Sequence, residues 1–415
     1  MTLEEAERAL LALELFGMRF GLDRMRRLLT ALGSPQEAFG AIHVVGSNGK
    51  SSTTRLAAAL LRRHGLRAGA YLSPHLVSFA ERIRIDDEDL GPDAFAAAVA
   101  RVLRAAEKVD RTLEPGDRVT QFEVLTAAAL SELARARVDV AVVEAGLGGR
   151  WDATNVLGAR VVVLTNVGLE HTRWLGPTIT DIAREKLDVV GPGAVLVVGE
   201  GLHPEARAVA DDVCAARGAR LVEVEPVPGV ELLAGGTFQR PNFAAACAAA
   251  RAYLGRELDP EAVRAAAAST RVPGRFEQVD VKPVTILDGA HNPAGTDVLA
   301  ASLRGMLDGR PLAVACSVLD DKDAAAMLGA LLPLTAELVC TSTANPRTLP
   351  PATLRSLALQ LGLPAARVRV EPDPTQALAL ARRLAGPDGV ALATGSLYLL
   401  AYLLRAGTGR AASTL

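Results

Sequence analysis

Short β-rich apolar runs alternate with longer helical stretches along most of this 415-residue chain. Because parallel strands need a crossover between them, and that crossover is usually a helix, the alternation predicts βα units. Such units build a mainly parallel sheet with helices on both faces. The sequence predicts strands over 41–45, 138–143, 160–164 and 194–198, and helices over 50–64, 179–190 and 204–217.

The same alternation restarts after residue 280, which indicates a second α/β domain. It predicts strands over 284–287, 312–316, 337–341 and 390–393, and a helix over 294–306. Two further predicted helices, 242–254 and 260–269, separate the two blocks, so we place the boundary between 271 and 282. At this length the chain can build two domains, each with its own core.

Composition argues against several classes of protein. The 45 basic and 47 acidic residues give a net charge of −2, without the positive field of a dedicated nucleic-acid binder. The uncharged stretch 389–404 is interrupted by polar residues and is shorter than a membrane span. The four cysteines lie far apart, as is typical of a reducing compartment. We therefore expect a cytoplasmic protein that binds neither nucleic acid nor a membrane.

Lysine is scarce in this chain. It occurs five times, at positions 50, 108, 186, 282 and 322, against forty arginines. Arginine cannot replace lysine as a compact ammonium or as a nucleophilic amine, so a retained lysine indicates one of these tasks. Histidine and asparagine are also rare, and many of them follow predicted strands.

A glycine loop, Gly46-Ser47-Asn48-Gly49-Lys50-Ser51-Ser52, joins the first predicted strand to a helix. Glycines let the backbone N–H groups of such a loop face an anion at the helix N-terminus. Lys50 would reach the outer phosphates of a nucleotide, and the hydroxyl of Ser51 or Ser52 could face Mg²⁺. Val44 stands where the full nucleotide-binding pattern has its first glycine, so a turn that only caps the helix is the alternative.

Two further strand ends carry candidate metal ligands. Glu144 follows the strand 138–143, and His171 comes shortly after the strand 160–164. Ligands bind at the carboxyl ends of parallel strands, where a carboxylate can hold Mg²⁺. The alternatives are an ordinary acidic strand end and a structural histidine. The turn that contains Ser73 and His75 is equally open between a ligand site and an ordinary turn.

Lys186 lies in the predicted helix 179–190. An exposed lysine on a helix surface is the simpler interpretation, but the scarcity of lysine favours a chemical task for its amine. The rare polar residues thus gather at strand ends. From the residues alone, the chain is a two-domain enzyme that binds a nucleotide phosphate and Mg²⁺ at the edge of a parallel sheet.

Together these segments resemble the folylpolyglutamate synthase/dihydrofolate synthase family of the Mur ligase superfamily. The matching segments keep the family's order and lie at 46–50, 73–76, 81–83, 122–123, 125–127, 146–155, 273–277 and 288–293. The resemblance implies a large N-terminal P-loop-type ATPase domain, 1–273, with a mainly parallel sheet. It also implies a smaller C-terminal Rossmann-like α/β domain, 274–415, that binds glutamate.

The resemblance further implies an ATP-dependent ligase that adds L-glutamate to dihydropteroate, to a folate, or to both, through an acyl phosphate. It implies catalytic roles for Lys50, His171 and Lys186, and Lys186 matches the lysine that is carbamylated in this family. By the same resemblance, ATP is bound by Asn48, Gly49, Lys50, Ser51, Ser52, Asn242, Arg275 and Asp288. The resemblance implies that Mg²⁺ is held by Ser73, Glu144 and His171. It also implies that the pterin pocket is lined by Phe122, Glu123, Trp151, Asp152 and Ala153.

The expected cofactors are ATP and Mg²⁺, and the resemblance also admits a monovalent cation. We expect a monomer whose partners are small molecules. The chain departs from the family pattern at Ser51, where glycine is usual, at Glu170, where aspartate is usual, and at 187–188, where Ala-Gly is usual.

Two other functions remain as alternatives. One is a ligase of the same superfamily that acts on a cell-wall precursor, which the segments 122–123 and 273–277 disfavour. The other is a nucleotide-binding regulator without ligase activity. The joint presence of Lys50, Glu144, His171 and Lys186 disfavours it.

Overall fold

The computed structural model describes residues 1–13 and 21–406. The chain forms two compact units, of which the first comprises Met1–Leu232 and Arg240–Thr270 and the second Leu233–Gln239 and Arg271–Leu415. The predicted boundary at 273/274 lies three residues beyond the boundary of the units at 270/271. The segment 233–239, predicted in the first domain, belongs to the second unit because Thr237 binds Ser302 through its backbone N–H (3.0 Å) and its hydroxyl (2.9 Å).

The first unit is built on an eight-stranded sheet with the order β4-β3-β2-β5-β1-β6-β7-β8. Its strands are β1 (Gly40–Val45), β2 (Ala68–Tyr71), β3 (Ile83–Ile85), β4 (Glu88–Asp89), β5 (Val140–Glu144), β6 (Val161–Leu164), β7 (Val195–Val198) and β8 (Arg220–Glu223). The six strands from β2 to β8 in this order pair in parallel, and β3 and β4 add an antiparallel edge.

Helices cover both faces of this sheet. They are α1 (Leu3–Leu11), α2 (Asp23–Ala31), α3 (Lys50–Arg63), α4 (Pro92–Asp110), α5 (Gln121–Arg135), α6 (Thr172–Leu175), α7 (Ile179–Leu187), α8 (Pro204–Arg217), α9 (Gln239–Leu254) and α10 (Pro260–Ser269), with 3₁₀ turns at Pro35–Glu37 and Phe79–Arg82. Because successive side chains of a strand point to opposite faces, β1 contributes Ala41 and Val45 to one core and Ile42 and Val44 to the other. The first core packs against α4 and α5, and the second against α3 and α9.

The second unit has a six-stranded sheet with the order β13-β12-β11-β14-β10-β9. Its strands are β9 (Glu277–Val281), β10 (Val284–Leu287), β11 (Leu312–Cys316), β12 (Glu337–Cys340), β13 (Val368–Val370) and β14 (Val390–Thr394), and its helices are α11 (Pro293–Leu307), α12 (Ala324–Leu331), α13 (Pro351–Gln360), α14 (Pro374–Ala385) and α15 (Leu397–Ala406). Short 3₁₀ helices cover Leu332–Leu334 and Ala365–Arg367. Apart from β9, which pairs antiparallel to β10, the strands are parallel.

The predicted fold class is confirmed: both units are α/β, with mainly parallel sheets. The continuous apolar runs that predicted strands, such as 312–316, are strands buried on both faces. The sequence analysis did not predict the antiparallel strands β3, β4 and β9 or the outer parallel strands β8 and β13, because each is short or carries polar residues among its apolar ones. Within the described residues, none of the helices combines the length and the apolar character that a bilayer crossing requires.

Candidate active site

The loop between β1 and α3, residues 46–49, is called the phosphate loop below. Gly46 and Gly49 have φ angles of +147° and +84°, a region that favours glycine. A Cβ at position 46 would lie 1.9 Å from the hydroxyl of Thr165, and one at position 49 would lie 2.4 Å from Oδ1 of Asn242. Both glycines are therefore needed for the close approach of neighbouring side chains. Asn242, predicted to bind ATP, lies beside this loop.

The segment that follows β6 holds the phosphate loop in place. Asn166 accepts the backbone N–H of Asn48 with its side chain (2.8 Å) and that of Ser47 with its carbonyl (3.0 Å). The hydroxyl of Thr165 donates to the carbonyl of Asn48 at 2.7 Å. The loop conformation is thus fixed by groups of this chain itself. The scarcity of asparagine was the one sequence signal that pointed to Asn166.

Two ammonium groups converge on the carbonyl of Gly46. Lys50 donates to it at 2.9 Å and to the carbonyl of Ser47 at 3.1 Å, and Lys186 donates to it at 2.9 Å. Lys186 also pairs with Glu170 at 3.1 Å. Only 1% of Lys186 is exposed, so the alternative of a solvated helix lysine is wrong. The structure brings Lys50 and Lys186, predicted from distant segments, to one carbonyl.

The electrostatic setting changes the pKa of both members of the Lys186–Glu170 pair. Burial lowers the pKa of Lys186 to about 8; Glu170 opposes this shift, and Lys50 adds to it. Burial alone would raise the pKa of Glu170, but the positive charges of Lys186, Lys50 and His171 together lower it to about 2. Glu170 is therefore a carboxylate at neutral pH, and Lys186 is only partly protonated near pH 8.

Glu144 ends β5 and joins three elements. Its Oε1 accepts the hydroxyl of Ser51 at 3.0 Å, and its Oε2 accepts the backbone N–H of Ser73 at 3.1 Å. The side chain is almost completely buried. The adjacent parallel pairing of β1, β5 and β2 brings these groups together because the carboxyl ends of neighbouring parallel strands meet at one edge.

His171 is the third residue that was predicted to hold Mg²⁺. It is exposed, has a φ of +47° and is the N-cap residue of α6. Its charge is one of those that lower the pKa of Glu170. Within residues 1–13 and 21–406, no group of three His, Cys, Asp or Glu side chains could hold a metal ion. A hydrogen bond joins Ser73 to Glu144, and the charge of His171 acts on Glu170.

The donor chemistry of these residues nevertheless fits Mg²⁺. Glu144 offers carboxylate oxygens, Ser51 and Ser73 offer hydroxyl oxygens, and Mg²⁺ prefers hard oxygen ligands and keeps several waters. A site with few protein ligands is therefore consistent with this metal.

The turn after β2 is held by Glu81. Its carboxylate accepts the backbone N–H groups of Leu76 (3.0 Å), Val77 (2.9 Å) and Ser78 (2.8 Å). His75 is buried, and its Nδ1 accepts a hydrogen bond from Nε of Arg82 at 3.0 Å. The serine at 78 with glutamate three residues later is a capping-box pattern, a signal that could have identified Glu81 from the sequence.

Residues 146–155, called the substrate loop below, contain Trp151, Asp152 and Ala153. Trp151 is 45% exposed, whereas Asp152 and Ala153 are buried. Asp152 accepts the backbone N–H groups of Leu147 (2.8 Å) and Thr154 (3.0 Å) and the hydroxyl of Thr154 (2.5 Å). Burial raises the pKa of Asp152, and these hydrogen bonds oppose the shift. The carboxylate is therefore occupied within the loop itself.

Phe122 and Glu123 begin α5 beside this loop. A Cβ at Gly146 would lie 2.6 Å from Cζ of Phe122, so the loop passes close to the tip of that ring. Glu123 completes a capping box with Thr120 and accepts Nε of the buried Arg24 at 3.2 Å. The carboxylate predicted to contact substrate is thus used to start a helix and to pair a buried arginine.

Arg275 and Asp288 belong to the second unit. Asp288 is buried at the end of β10 and accepts the backbone N–H groups of Phe276 and Ala290, both at 2.8 Å. Burial raises the pKa of Asp288, and the neighbouring Arg275 opposes that shift. The Arg275 side chain lies against Gly289, where a Cβ would come within 2.4 Å of its Nη1.

Comparison with known proteins gives the same assignment from several directions. Residues 274–397 match the family described as "Mur ligase, glutamate ligase domain". The dihydrofolate synthase/folylpolyglutamate synthase of Mycobacterium tuberculosis is 36% identical over 379 residues, which span 82% of this chain and 77% of that protein. The chain belongs to the dihydrofolate synthase/folylpolyglutamate synthase family. As a member of this family, the protein is an ATP-dependent ligase.

Solved structures of the family share the fold along the whole chain. Escherichia coli FolC in complex with DHPP and ADP has a TM-score of 0.87 at 30% identity, covering 99% of this chain and 98% of that one. A bifunctional folylpolyglutamate synthase/dihydrofolate synthase with Mn, AMPPNP and L-glutamate bound has a TM-score of 0.85 at 28% identity, covering 98% of each chain.

The structural role of Glu123 can be tested by unfolding. Replacement Glu123→Ala removes the helix cap and the charge that Arg24 pairs with, so the free energy of unfolding should fall by about 3–5 kcal/mol. As a control, Asp211→Ala breaks the exposed pair with Arg207 and should change it by about 1 kcal/mol or less. Denaturant unfolding of both variants measures the difference. Equal stability of Glu123→Ala and the unmodified protein would contradict this role.

Proposed function

We propose that this ligase adds L-glutamate to dihydropteroate, to the γ-carboxyl group of a folate, or to both. The observation that carries the proposal is the convergence of Lys50 and Lys186 on the phosphate loop, next to the Glu144 carboxylate. The names of the relatives, and the ADP and L-glutamate in the complexes of the solved structures, support the choice of substrates.

The reaction has two steps. The substrate carboxylate attacks the γ-phosphorus of ATP, giving an acyl phosphate and ADP. The amine of glutamate then attacks the acyl carbon, phosphate leaves with the electron pair of the C–O bond, and the amine loses a proton as the amide forms. Both steps bring anions together, so the site must supply positive charge and N–H donors.

The phosphate loop and Lys50 meet this need. The loop places backbone N–H groups at the N-terminus of α3, where the helix dipole favours an anion. Lys50 is the first residue of that helix and carries the charge that would neutralise the outer phosphates. Asn48, Gly49, Ser51 and Ser52 are proposed to complete the phosphate contacts, and Asn242 to contact the nucleotide from beside Gly49.

Mg²⁺ would be held by Glu144 and Ser73, with Ser51 beside them and His171 as a further ligand. When bound, it supplies charge neutralisation and orientation of the phosphates. Glu144 is positioned for this by the Ser51 hydroxyl and the Ser73 amide, which orient its two oxygens.

For the pterin pocket, exposure and position beside the loop select the side chains that would contact a ligand. We assign direct contact to Phe122 and Trp151 and to the surface around Ala153. Glu123 and Asp152 are proposed to shape the pocket indirectly, because their carboxylates bind the backbone N–H groups of the segments that line it. That Arg275 and Asp288 bind ATP stays a prediction. The same holds for ATP binding by residues 1–273 and glutamate binding by residues 274–415. A bound monovalent cation and a monomeric state also stay predictions.

One assay tests the substrate assignment. The protein is incubated with ATP, L-glutamate and either dihydropteroate or tetrahydrofolate, and products are identified by mass. We expect ADP release that needs both glutamate and the pteroyl substrate, and a product heavier by one glutamyl residue.

In the same assay, Lys50→Ala should lower turnover on the order of 10²-fold or more, because it removes a positive charge from the phosphates. Such a loss assigns the activity to this site. ATP binding without glutamate-dependent ADP release would favour a regulator, and turnover only with a cell-wall precursor would favour the other ligases.

The metal assignment predicts a shifted Mg²⁺ requirement. Glu144→Ala and His171→Ala should each raise the Mg²⁺ concentration needed for half-maximal activity, because each removes a ligand. His203→Ala, which removes an exposed imidazole at the start of α8, should leave the curve unchanged. Thermal melting of each variant separates lost ligation from lost folding. Unchanged Mg²⁺ curves in both ligand variants would exclude direct ligation.

We also propose that the amine of Lys186 reacts with CO₂ to form a carbamate. Its pKa of about 8 leaves a fraction of neutral amine, the form that attacks CO₂. The carboxylate of Glu170 opposes this change, because two buried anions would then lie side by side unless a cation lies between them.

Substitution of Lys186 distinguishes an ammonium from a carbamate. Lys186→Ala should be nearly inactive and partly restored by a small carboxylate at high concentration, which replaces the lost anion. Lys186→Arg keeps the positive charge but cannot form a carbamate, so it should also be inactive. Lys108→Arg, at an exposed lysine, is the control and should have unchanged activity. An active Lys186→Arg enzyme would show that the ammonium is the working form.

A further inference from the structure

Three buried side chains connect β1 to the substrate loop, and the mechanism above does not use this connection. His43 lies in β1, and its Nε2 is 2.7 Å from the hydroxyl oxygen of Thr154. That oxygen is 2.5 Å from Oδ1 of Asp152. His43 is 1% exposed and Thr154 is fully buried. We call these three residues the relay.

The hydrogen bonds of the relay fix the proton positions. A threonine hydroxyl has one proton, and in the relay it donates to the carboxylate of Asp152. The same oxygen must then accept from His43, which requires the tautomer with a proton on Nε2. Burial lowers the pKa of His43 to about 4, so this histidine is neutral at physiological pH and can carry its one ring proton on Nε2.

Asp152 forms hydrogen bonds to residues near both ends of the substrate loop. One carboxylate oxygen accepts the N–H of Leu147 near the start of the loop, and the other binds Thr154 near its end. The loop is therefore closed on itself, and the hydroxyl of Thr154 attaches the closed loop to β1. A second attachment, the N–H of Arg150 to the carbonyl of Glu185 (2.8 Å), fixes the middle of the loop to α7.

The same strand also leads into the phosphate loop. Only Val44 and Val45 separate His43 from Gly46, and both are buried in a strand paired on each side. Backbone pairing holds the start of the substrate loop to β1, with the N–H of Ala145 donating to the carbonyl of Val44 (3.0 Å), and the Thr154 hydroxyl holds the end of the loop to the same strand. A carboxylate must lie close to the γ-phosphorus and in line with it for transfer, so a displacement of about 1 Å costs on the order of 10²-fold in rate.

We propose that His43 is a positioning residue, which acts through Thr154 to hold the substrate loop in register with the phosphate loop. This proposal rests on the proposed function, since it assumes that the substrate loop binds the pteroyl substrate. Loss of the relay moves that substrate relative to ATP without disturbing ATP itself. The KM for the pteroyl substrate and kcat should therefore change, while the KM for ATP should not.

A matched pair of variants at Thr154 tests this. Thr154→Val keeps the shape and removes the hydroxyl, whereas Thr154→Ser keeps the hydroxyl. We expect the valine variant to raise the KM for the pteroyl substrate about 10-fold and to lower kcat, with the KM for ATP within about twofold. For the serine variant, kcat, the KM for the pteroyl substrate and the KM for ATP should each stay within about twofold of the unmodified enzyme. Equal changes in both KM values, or a serine variant as impaired as valine, would overturn the proposal.

A second variant shows whether His43 acts through Thr154. His43→Leu should reproduce the effect of Thr154→Val, and the double variant should be no worse than either one, because both remove the same connection. Additive effects would mean that His43 acts separately. If either single variant fails to fold in a thermal melt, the other one is compared with Thr154→Ser and decides the outcome.

A fluorescence measurement tests the relay without turnover. The chain has two tryptophans, so Trp174→Phe leaves Trp151, in the substrate loop, as the single reporter. In that background, Thr154→Val should change the quenching of Trp151 by acrylamide, and Thr154→Ser should not. If the unmodified enzyme gives no glutamate-dependent product, the proposed function fails while this measurement still decides the relay. Unchanged quenching in both variants overturns the relay even when the enzyme is active.

Discussion

The arrangement of the site depends on the hydrogen bonds between the end of β6 and the phosphate loop. A loop with two glycines has no conformation of its own, and its backbone groups must find partners. Thr165 and Asn166 supply them, because β6 pairs with β1 and ends beside it. Once the loop is fixed, the carbonyl of Gly46 is fixed, and with it the ammonium groups of Lys50 and Lys186 that donate to it.

This arrangement keeps positive charge where folding alone would not place it. A buried ion pair such as Lys186–Glu170 gives little net stability, because removing both charges from water offsets their attraction. Lys50 nearby lowers the pKa of Lys186 further instead of stabilising its charge. Stability therefore does not explain the cluster, whereas the proposed reaction does: Lys50 supplies positive charge for the phosphates, and the depressed pKa of Lys186 supplies the neutral amine for the proposed carbamate.

The sequence predicted the parts of the molecule that local pattern determines. Continuous apolar runs identified strands such as β5 and β11, and the longer helical stretches between them identified helices such as α8, whose predicted bounds are those observed. The position of Lys50 and Glu144 at strand ends was also predictable. The sequence could not show that Lys186 reaches Gly46, because 140 positions separate them and only the order of strands brings them together. The edge strands were missed because pairing, not apolar character, makes them strands.

Two residues that were predicted to line the pterin pocket also have structural tasks, while their role toward the substrate stays a prediction. Asp152 and Glu123 use their carboxylate oxygens on backbone N–H groups, a hydroxyl and an arginine of the chain itself. A binding loop belongs to neither a helix nor a sheet, so side chains must satisfy the backbone groups that those elements would satisfy. A carboxylate can either accept hydrogen bonds from the loop backbone or bind a substrate. A sequence motif alone does not show which of these two tasks a given residue performs. In the structure, the buried Asp152 holds the loop, whereas Trp151 beside it is 45% exposed, so a ligand contact of Trp151 stays a prediction and the structural task of Asp152 is observed.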